Sequence, residues 1–206
     1  MTSNQARSLL ALLRLDGGPS RDEARAMWLA LAGCPVLELL LRLEGATLWL
    51  YRRLHDLGVP TAPPLGAVLR EAAHQQLMFG LRVDEETRAI AEILRDGGIR
   101  VVMIKGPARR LAAKLYPYAD ARSTSDVDLL VPERQDRGAW QLLVGRGYER
   151  ATEPEPWQAG HFHLPPLWNR RRVAVELHTS TAPWLTPSEA WRRVLADRDM
   201  VSQDGV

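Results

Sequence analysis

The feature that most constrains the fold is a change of sequence pattern at Asp96-Gly97-Gly98. Upstream, apolar residues recur every three to four positions in long segments that end at Gly- and Pro-rich stops, which predicts amphipathic helices. Downstream come short β-branched runs between Gly and Pro residues, which predict strands connected by helices. The sequence therefore predicts an α+β chain, with a helical bundle at residues 1–97 and a separate core at 98–206.

Four helices are predicted in the first half, at about residues 4–15, 20–32, 36–57 and 64–95. Ser20 followed by Glu23 forms a capping box at the start of the second helix. The fourth helix contains Gly80, where a kink is expected. These helices carry no motif that points to chemistry, and their apolar stripes are typical of core packing.

In the second half, the pattern predicts strands at about 99–104, 126–131, 161–164 and 172–178. Helices are expected at about 108–115, 134–143 and 187–195. Pro and Gly residues separate these segments, as they do between short elements of a compact domain.

Composition excludes several classes of protein. Hydrophobic residues make up 46% and charged residues 25%, which argues against disorder. The net charge of +2 gives no broad basic footprint, so long nucleic acids are not expected as partners. Cys34 is the single cysteine and has no partner for an internal disulfide. The chain shows neither a secretory leader nor an apolar run long enough to span a membrane, and we expect it in the cytoplasm.

The sharpest motif is Ser125-Asp126-Val127-Asp128, which continues into the apolar run 129–131. Side chains alternate along a strand, so Asp126 and Asp128 point to one face while Val127 points to the other. Two carboxylates about 7 Å apart repel each other, and a divalent cation removes that conflict. Oxygen ligands favour Mg²⁺ or Mn²⁺. Two aspartates that simply face water at a strand end are the alternative reading.

Glu176 is a lone carboxylate in the mostly apolar segment 173–178. If this segment lies beside the Asp126–Asp128 strand, Glu176 supplies a third carboxylate and completes a site for two metals. The alternative is an exposed glutamate on an edge strand. His178 shares the strand face of Glu176 and is a candidate substrate contact, the alternative being a partly buried histidine with hydrogen-bond partners inside the protein.

Lys105-Gly106-Pro107 stands where a strand is predicted to pass into a helix. Gly106 permits close approach of a ligand to the backbone, and Pro107 suits the first helical position. A lysine beside a helix N-terminus favours an anion such as a triphosphate. Lysine occurs elsewhere in this arginine-rich chain only at Lys114, which draws attention to Lys105.

Taken together, these motifs resemble the uncharacterised nucleotidyltransferase family of the polymerase-beta superfamily, whose members look like "KG…Y…R…DxDLLV…ELH". The matching residues here are Lys105-Gly106, Tyr116, Arg122, Asp126–Val131 and Glu176-Leu177-His178. The resemblance implies a small mixed sheet flanked by helices, with Asp126, Asp128 and Glu176 holding Mg²⁺ or Mn²⁺.

The activity implied is transfer of an NMP group from an NTP, ATP being the expected donor, to an unknown acceptor with release of pyrophosphate. Asp126, Asp128 and Glu176 are then the catalytic residues. Lys105, Gly106, Arg122, Ser123 and Ser125 are the nucleotide-binding candidates.

Two departures from the family pattern matter. The wider superfamily has a Gly-Ser pair closer to its aspartates, so Ser123 or Ser125 has to replace that serine here. Members also tend to continue with further helices, whereas this chain ends at Asp204-Gly205-Val206. We therefore expect part of an acceptor or base pocket to be missing.

Three other functions fit parts of the pattern. A non-catalytic module that binds nucleotide or a protein through a degenerate site agrees with the short C-terminus. A metal-dependent glycosyltransferase also uses Asp-x-Asp, but an α/β half precedes its motif. A haloacid-dehalogenase phosphatase fits least, because the residues around Asp126 and Asp128 differ from its pattern.

Overall fold

The computed structural model describes residues 1–14, 16–32, 34, 37, 46–111, 124–150 and 162–196. Within these ranges the chain is α+β, with seven helices and a small mixed sheet of five strands. In chain order the elements are α1 (Ser3–Leu13), α2 (Arg21–Ala30), α3 (Thr47–Asp56), α4 (Leu65–Asp96), β1 (Val102–Met103), α5 (Lys105–Leu111), β2 (Asp126–Leu130), α6 (Asp136–Gly145), β3 (Glu149–Arg150), β4 (Leu167–Trp168), β5 (Ala174–His178) and α7 (Pro187–Ala196).

The described residues divide into two compact units, and the division falls inside α4, between Gly80 and Leu81. The first unit takes the residues up to Gly80, and the second takes those from Leu81 onward. The predicted assignment of 1–97 and 98–206 to two functional regions stays a prediction.

In the first unit, the apolar faces of the helices enclose one core. Burying such side chains stabilises the fold by about 25 cal/mol for each Å² removed from water. The predicted capping box of Ser20 and Glu23 is confirmed at the start of α2. The largest buried side chains of this core are Leu12, Trp28, Leu31, Leu37, Leu50, Leu54 and Leu69.

Two helix predictions had opposite outcomes. Helix α4 runs for 32 residues through Gly80, so the long fourth helix is confirmed. A single helix over 36–57 is wrong, because α3 begins at Thr47 after the non-helical residue Ala46. Gly45 in the sequence is the signal for this break, since glycine disfavours a helix interior.

In the second unit, the sheet has the order β1-β2-β5-β4-β3. Strands β2 and β5 are parallel, and the other neighbours are antiparallel. Side chains along the central strands point alternately to the two faces of the sheet, and Val127 and Val175 are fully buried in the core. The strand pair β2 and β5 therefore supplies both the core and, on its other face, the carboxylates.

Several strand predictions need correction. β1 is only Val102–Met103, shorter than the predicted 99–104. Residues 161–164 form no strand in the described part, where His163 makes an isolated bridge to His178. β4 was not predicted; it forms because the Asn169 side chain accepts hydrogen bonds from the Arg171 and Val173 backbone and holds a hairpin turn onto β5.

No helix in the described ranges is long and apolar enough to cross a membrane.

Candidate active site

The register of β2 and β5 brings the predicted carboxylates together. Asp128 pairs with Glu176 across the two parallel strands, and Asp126 pairs with Ala174. Residues paired in this way point to the same face of the sheet, so all three carboxylates share one face. The expectation that the two strands are neighbours is therefore confirmed. The Asp128 side chain is only 3% exposed, whereas that of Glu176 is 24% exposed.

Two nitrogen-bearing side chains lie on these carboxylates. His178 Nε2 is 2.8 Å from Asp128 Oδ1 and 3.3 Å from Glu176 Oε2. Lys105 Nζ donates to the same Asp128 oxygen at 2.6 Å and lies 3.9 Å from Glu176 Oε2. Charge-assisted contacts of this length are strong, so they hold the carboxylates in place.

Helix α5 positions Lys105 through its first residues. Lys105 itself has φ 49°, a left-handed conformation that costs free energy for a residue with a Cβ. A Cβ on the buried Gly106 would lie 2.2 Å from Thr124 Oγ1. Gly106 therefore allows the start of α5 to approach Thr124, whose hydroxyl donates to the Asp126 carbonyl at 3.2 Å. The close approach expected for a ligand is here made by a neighbouring side chain.

Burial and hydrogen bonding both shift the pKa values of Asp128, Glu176 and His178. Burial has the largest influence on Asp128 and alone would raise its pKa, but hydrogen bonds from His178 and Lys105 together lower that pKa. The hydrogen bond from His178 is the main reason that the pKa of Glu176 is lowered. Burial alone would lower the pKa of His178, yet its contacts to Asp128 and Glu176 raise it.

Asp126 behaves differently from the other two carboxylates. Burial first, and then the negative charge of Asp128, raise the pKa of Asp126. Its Oδ1 accepts a hydrogen bond from Ser125 Oγ at 3.2 Å. The ionised form of Asp126 is thus disfavoured beside Asp128, and a cation bound next to both would relieve that repulsion.

A comparison with protein families identifies the family of this chain. A family model described as "Uncharacterised nucleotidyltransferase" matches residues 39–203, which is most of the chain. The chain belongs to this family. The resemblance inferred from the motifs is therefore confirmed. No match is found among the curated proteins or the solved structures.

The side chains of this family member fit a divalent cation through their carboxylates. Asp128, Glu176 and His178 offer ligand atoms that all lie within 4.8 Å of one another, and Asp126 is outside that group. His178 Nδ1 has no hydrogen-bond partner among the described residues. A histidine that binds metal usually donates its second N–H to an acceptor. His178 is therefore better suited to donate from Nε2 to the carboxylates, which leaves carboxylate oxygens as the cation ligands.

The other predicted nucleotide-binding residues are placed unevenly. Ser125 lies beside Asp126 and is exposed. Arg122 and Ser123 lie outside the described residues, as does Tyr116. Lys105 contacts the carboxylates, whereas the sequence pointed to phosphates.

His178 lies beside the carboxylates, on the strand face that the sequence predicts for it. Its ring is completely buried and contacts Asp128, as the alternative of a buried histidine with partners in the protein predicts, and direct contact with substrate stays a prediction. Phe162 stacks on it with ring centroids 5.8 Å apart, and the His163 ring lies 5.3 Å away. The available signal was its spacing of two residues from Glu176, which put both on one strand face.

Proposed function

We propose that the chain is a Mg²⁺- or Mn²⁺-dependent nucleotidyltransferase that moves an NMP group from an NTP to an acceptor and releases pyrophosphate. One observation carries the proposal: Asp126, Asp128 and Glu176 share one face of two neighbouring strands in a chain of a nucleotidyltransferase family. The finer family features are part of the same proposal, namely a polymerase-beta-like core, ATP as donor and a helical bundle before residue 98. The cytoplasmic location stays a prediction.

In this proposal the three carboxylates bind the metal. A divalent cation bound there would neutralise phosphate charge and activate the attacking hydroxyl. Asp126 and Asp128 would hold it from β2, and Glu176 would hold it from β5 and accept the proton of the acceptor hydroxyl. His178 fixes the orientation of Asp128 and Glu176 through Nε2 and acts on substrate only through them.

The remaining candidates bind the triphosphate. Lys105 and the Gly106 backbone would contact the β- and γ-phosphates, while Arg122, Ser123 and Ser125 supply further donors. The acceptor oxygen forms a bond to the α-phosphorus. The bond between that phosphorus and the oxygen bridging to the β-phosphate breaks, and pyrophosphate leaves. Catalysis is then mainly positioning and charge neutralisation, which suits a site built of carboxylates and cations.

The test is calorimetric titration of the protein with Mg²⁺ and a non-hydrolysable ATP analogue, followed by pyrophosphate release with ATP and candidate hydroxyl acceptors. We expect metal-dependent binding that Asp128→Asn removes. Glu133→Gln, which changes an exposed acid of the same unit, is the matched control and should bind as the wild type does. Equal analogue binding by Asp128→Asn and the wild type would contradict the proposal.

One observation favours a second candidate, a non-catalytic module that binds nucleotide or a partner. Lys105 already neutralises Asp128 through a direct ion pair, as a site that has lost its metal would. Analogue binding without any pyrophosphate release, across all metals and acceptors tried, would favour this module.

A further inference from the structure

The ammonium of Lys105 lies among the atoms that would bind the metal. Its Nζ is 2.6 Å from Asp128 Oδ1, 3.9 Å from Glu176 Oε2 and 3.4 Å from His178 Nε2. We propose that Lys105 is a resident cation of this site, and that a divalent metal binds Asp128 Oδ1 only after displacing it. This inference rests on the proposed function, because it concerns the same carboxylates.

Asp128 Oδ1 has no capacity left for a metal while Lys105 is in place. A carboxylate oxygen has two lone pairs, and Lys105 Nζ and His178 Nε2 both lie within hydrogen-bond distance of this one. A divalent ion bound to the same oxygen at about 2.1 Å would also stand within a few Å of the ammonium. Since like charges at that separation repel strongly inside a protein, the two cations exclude each other.

Of the two nitrogen groups on Asp128, Lys105 is the one able to leave. Its side chain is 49% exposed and has a flexible four-carbon stem, whereas His178 is 0% exposed. The backbone of α5 is fixed by the close packing of Gly106 on Thr124, so a displaced ammonium stays beside the site.

A displaced ammonium needs a new anion, and the triphosphate of the nucleotide supplies one. Metal and nucleotide then favour each other's binding, because the nucleotide gives Lys105 a partner when the metal takes its place on Asp128. Without nucleotide, Lys105 holds the metal affinity of the protein low. This couples the two ligands without any change of fold.

The test measures Mn²⁺ affinity by electron paramagnetic resonance in the absence of nucleotide. Lys105→Met keeps the length of the side chain and removes its charge, and we expect it to bind Mn²⁺ about tenfold more tightly than the wild type. Arg109→Met is the matched control, since it removes one charge from the exposed surface of the same helix. We expect Arg109→Met to bind Mn²⁺ as the wild type does.

Asp128→Asn separates failure of this inference from failure of the proposed function. If wild type and Lys105→Met bind Mn²⁺ equally, at a site that Asp128→Asn removes, the metal site stands and the displacement is overturned. The displacement is equally overturned if Arg109→Met tightens binding as much as Lys105→Met does. If neither wild type nor Lys105→Met has a site that depends on Asp128, the proposed function and the displacement fail together.

A second measurement uses the wild-type protein and does not depend on the folding of a variant. The chain has two lysines, Lys105 and Lys114, so Lys114 is an internal reference for acetylation by an amine-reactive ester followed by mass spectrometry. We expect Mn²⁺ alone to increase the ratio of Lys105 acetylation to Lys114 acetylation severalfold. Addition of a non-hydrolysable ATP analogue with Mn²⁺ should change this ratio again, because Lys105 then contacts the triphosphate. An unchanged ratio at saturating Mn²⁺ overturns the displacement.

Discussion

Two acidic clusters of the second unit pair with cations in different ways. On α4, Asp84 accepts two hydrogen bonds from Arg110, at 2.9 Å to Oδ1 and 2.7 Å to Oδ2. Glu86, two residues on, accepts from the Tyr148 hydroxyl with one oxygen and from the Asn169 amide with the other. Each oxygen of these two carboxylates therefore has a partner within the protein.

The cluster on β2 and β5 is not balanced in this way. Three carboxylates, Asp126, Asp128 and Glu176, share Lys105 and His178, and Asp126 keeps a raised pKa because of burial and the charge of Asp128. Burial of acidic groups is common to both clusters, so burial does not distinguish them. The difference lies in the number of partners: each oxygen of Asp84 and Glu86 has its own partner, whereas three carboxylates share Lys105 and His178, as expected of a cation site.

The largest expected effect is on activity and comes from the unbalanced cluster. Asp126→Asn and Asp128→Asn each keep the size of the side chain and remove the charge that binds metal. We expect either change to lower nucleotidyl transfer by about 10³-fold while the folded circular dichroism spectrum persists. The measurement is pyrophosphate release against wild type and Glu133→Gln. Turnover like that of the wild type in either asparagine variant would remove the metal role of that aspartate.

The balanced cluster should show the opposite behaviour, with a large loss of stability. Arg110→Met leaves the carboxylate of Asp84 buried without its partner, so we expect the free energy of unfolding to fall by about 3–5 kcal/mol. Urea denaturation measures this loss. The double variant Asp84→Asn with Arg110→Met removes the stranded charge as well and should recover part of it. If Arg110→Met instead unfolds like the wild type, the α4 cluster is not a structural ion pair.

This contrast also explains which parts of the site were predictable. Alternation along a strand is a local property, so the shared face of Asp126 and Asp128 followed from the sequence. The neighbouring position of Glu176 was a hypothesis, because the pairing of β2 with β5 joins residues about fifty positions apart and no local signal sets their register.

The cations of the site were harder to place. Lys105 stands 23 residues before Asp128, and its contact depends on the antiparallel pairing of β1 with β2 and on the left-handed backbone at Lys105 itself. Sequence spacing indicates neither property. The helices were more predictable, since a period of three to four residues is local, although the break at Ala46 was missed because the apolar stripe continues across it.

A moderate effect is expected at Gly106, which connects Lys105 to the carboxylate strand. Gly106→Ala places a methyl group 2.2 Å from Thr124 Oγ1, so the start of α5 must shift. We expect the free energy of unfolding to fall by about 1–3 kcal/mol, as for other overpacked positions. Urea denaturation tests this, and the double variant with Thr124→Ala should recover part of the loss. Equal stability of Gly106→Ala and the wild type would mean that Gly106 and Thr124 are not tightly packed.

The smallest effect is expected at the exposed end of the α4 cluster, where Arg171 Nη1 donates to Glu85 Oε2 at 2.5 Å. These side chains are 58% and 64% exposed, so water and salt screen their attraction. A double-mutant cycle with Arg171→Ala and Glu85→Ala should give a coupling free energy below about 1 kcal/mol, smaller still at high salt. A coupling as large as that of Arg110 with Asp84 would break the comparison, because a short ion pair would then stabilise equally whether or not it is buried. A small coupling free energy between Arg171 and Glu85 supports the comparison, since only a carboxylate kept from water strongly requires a cation.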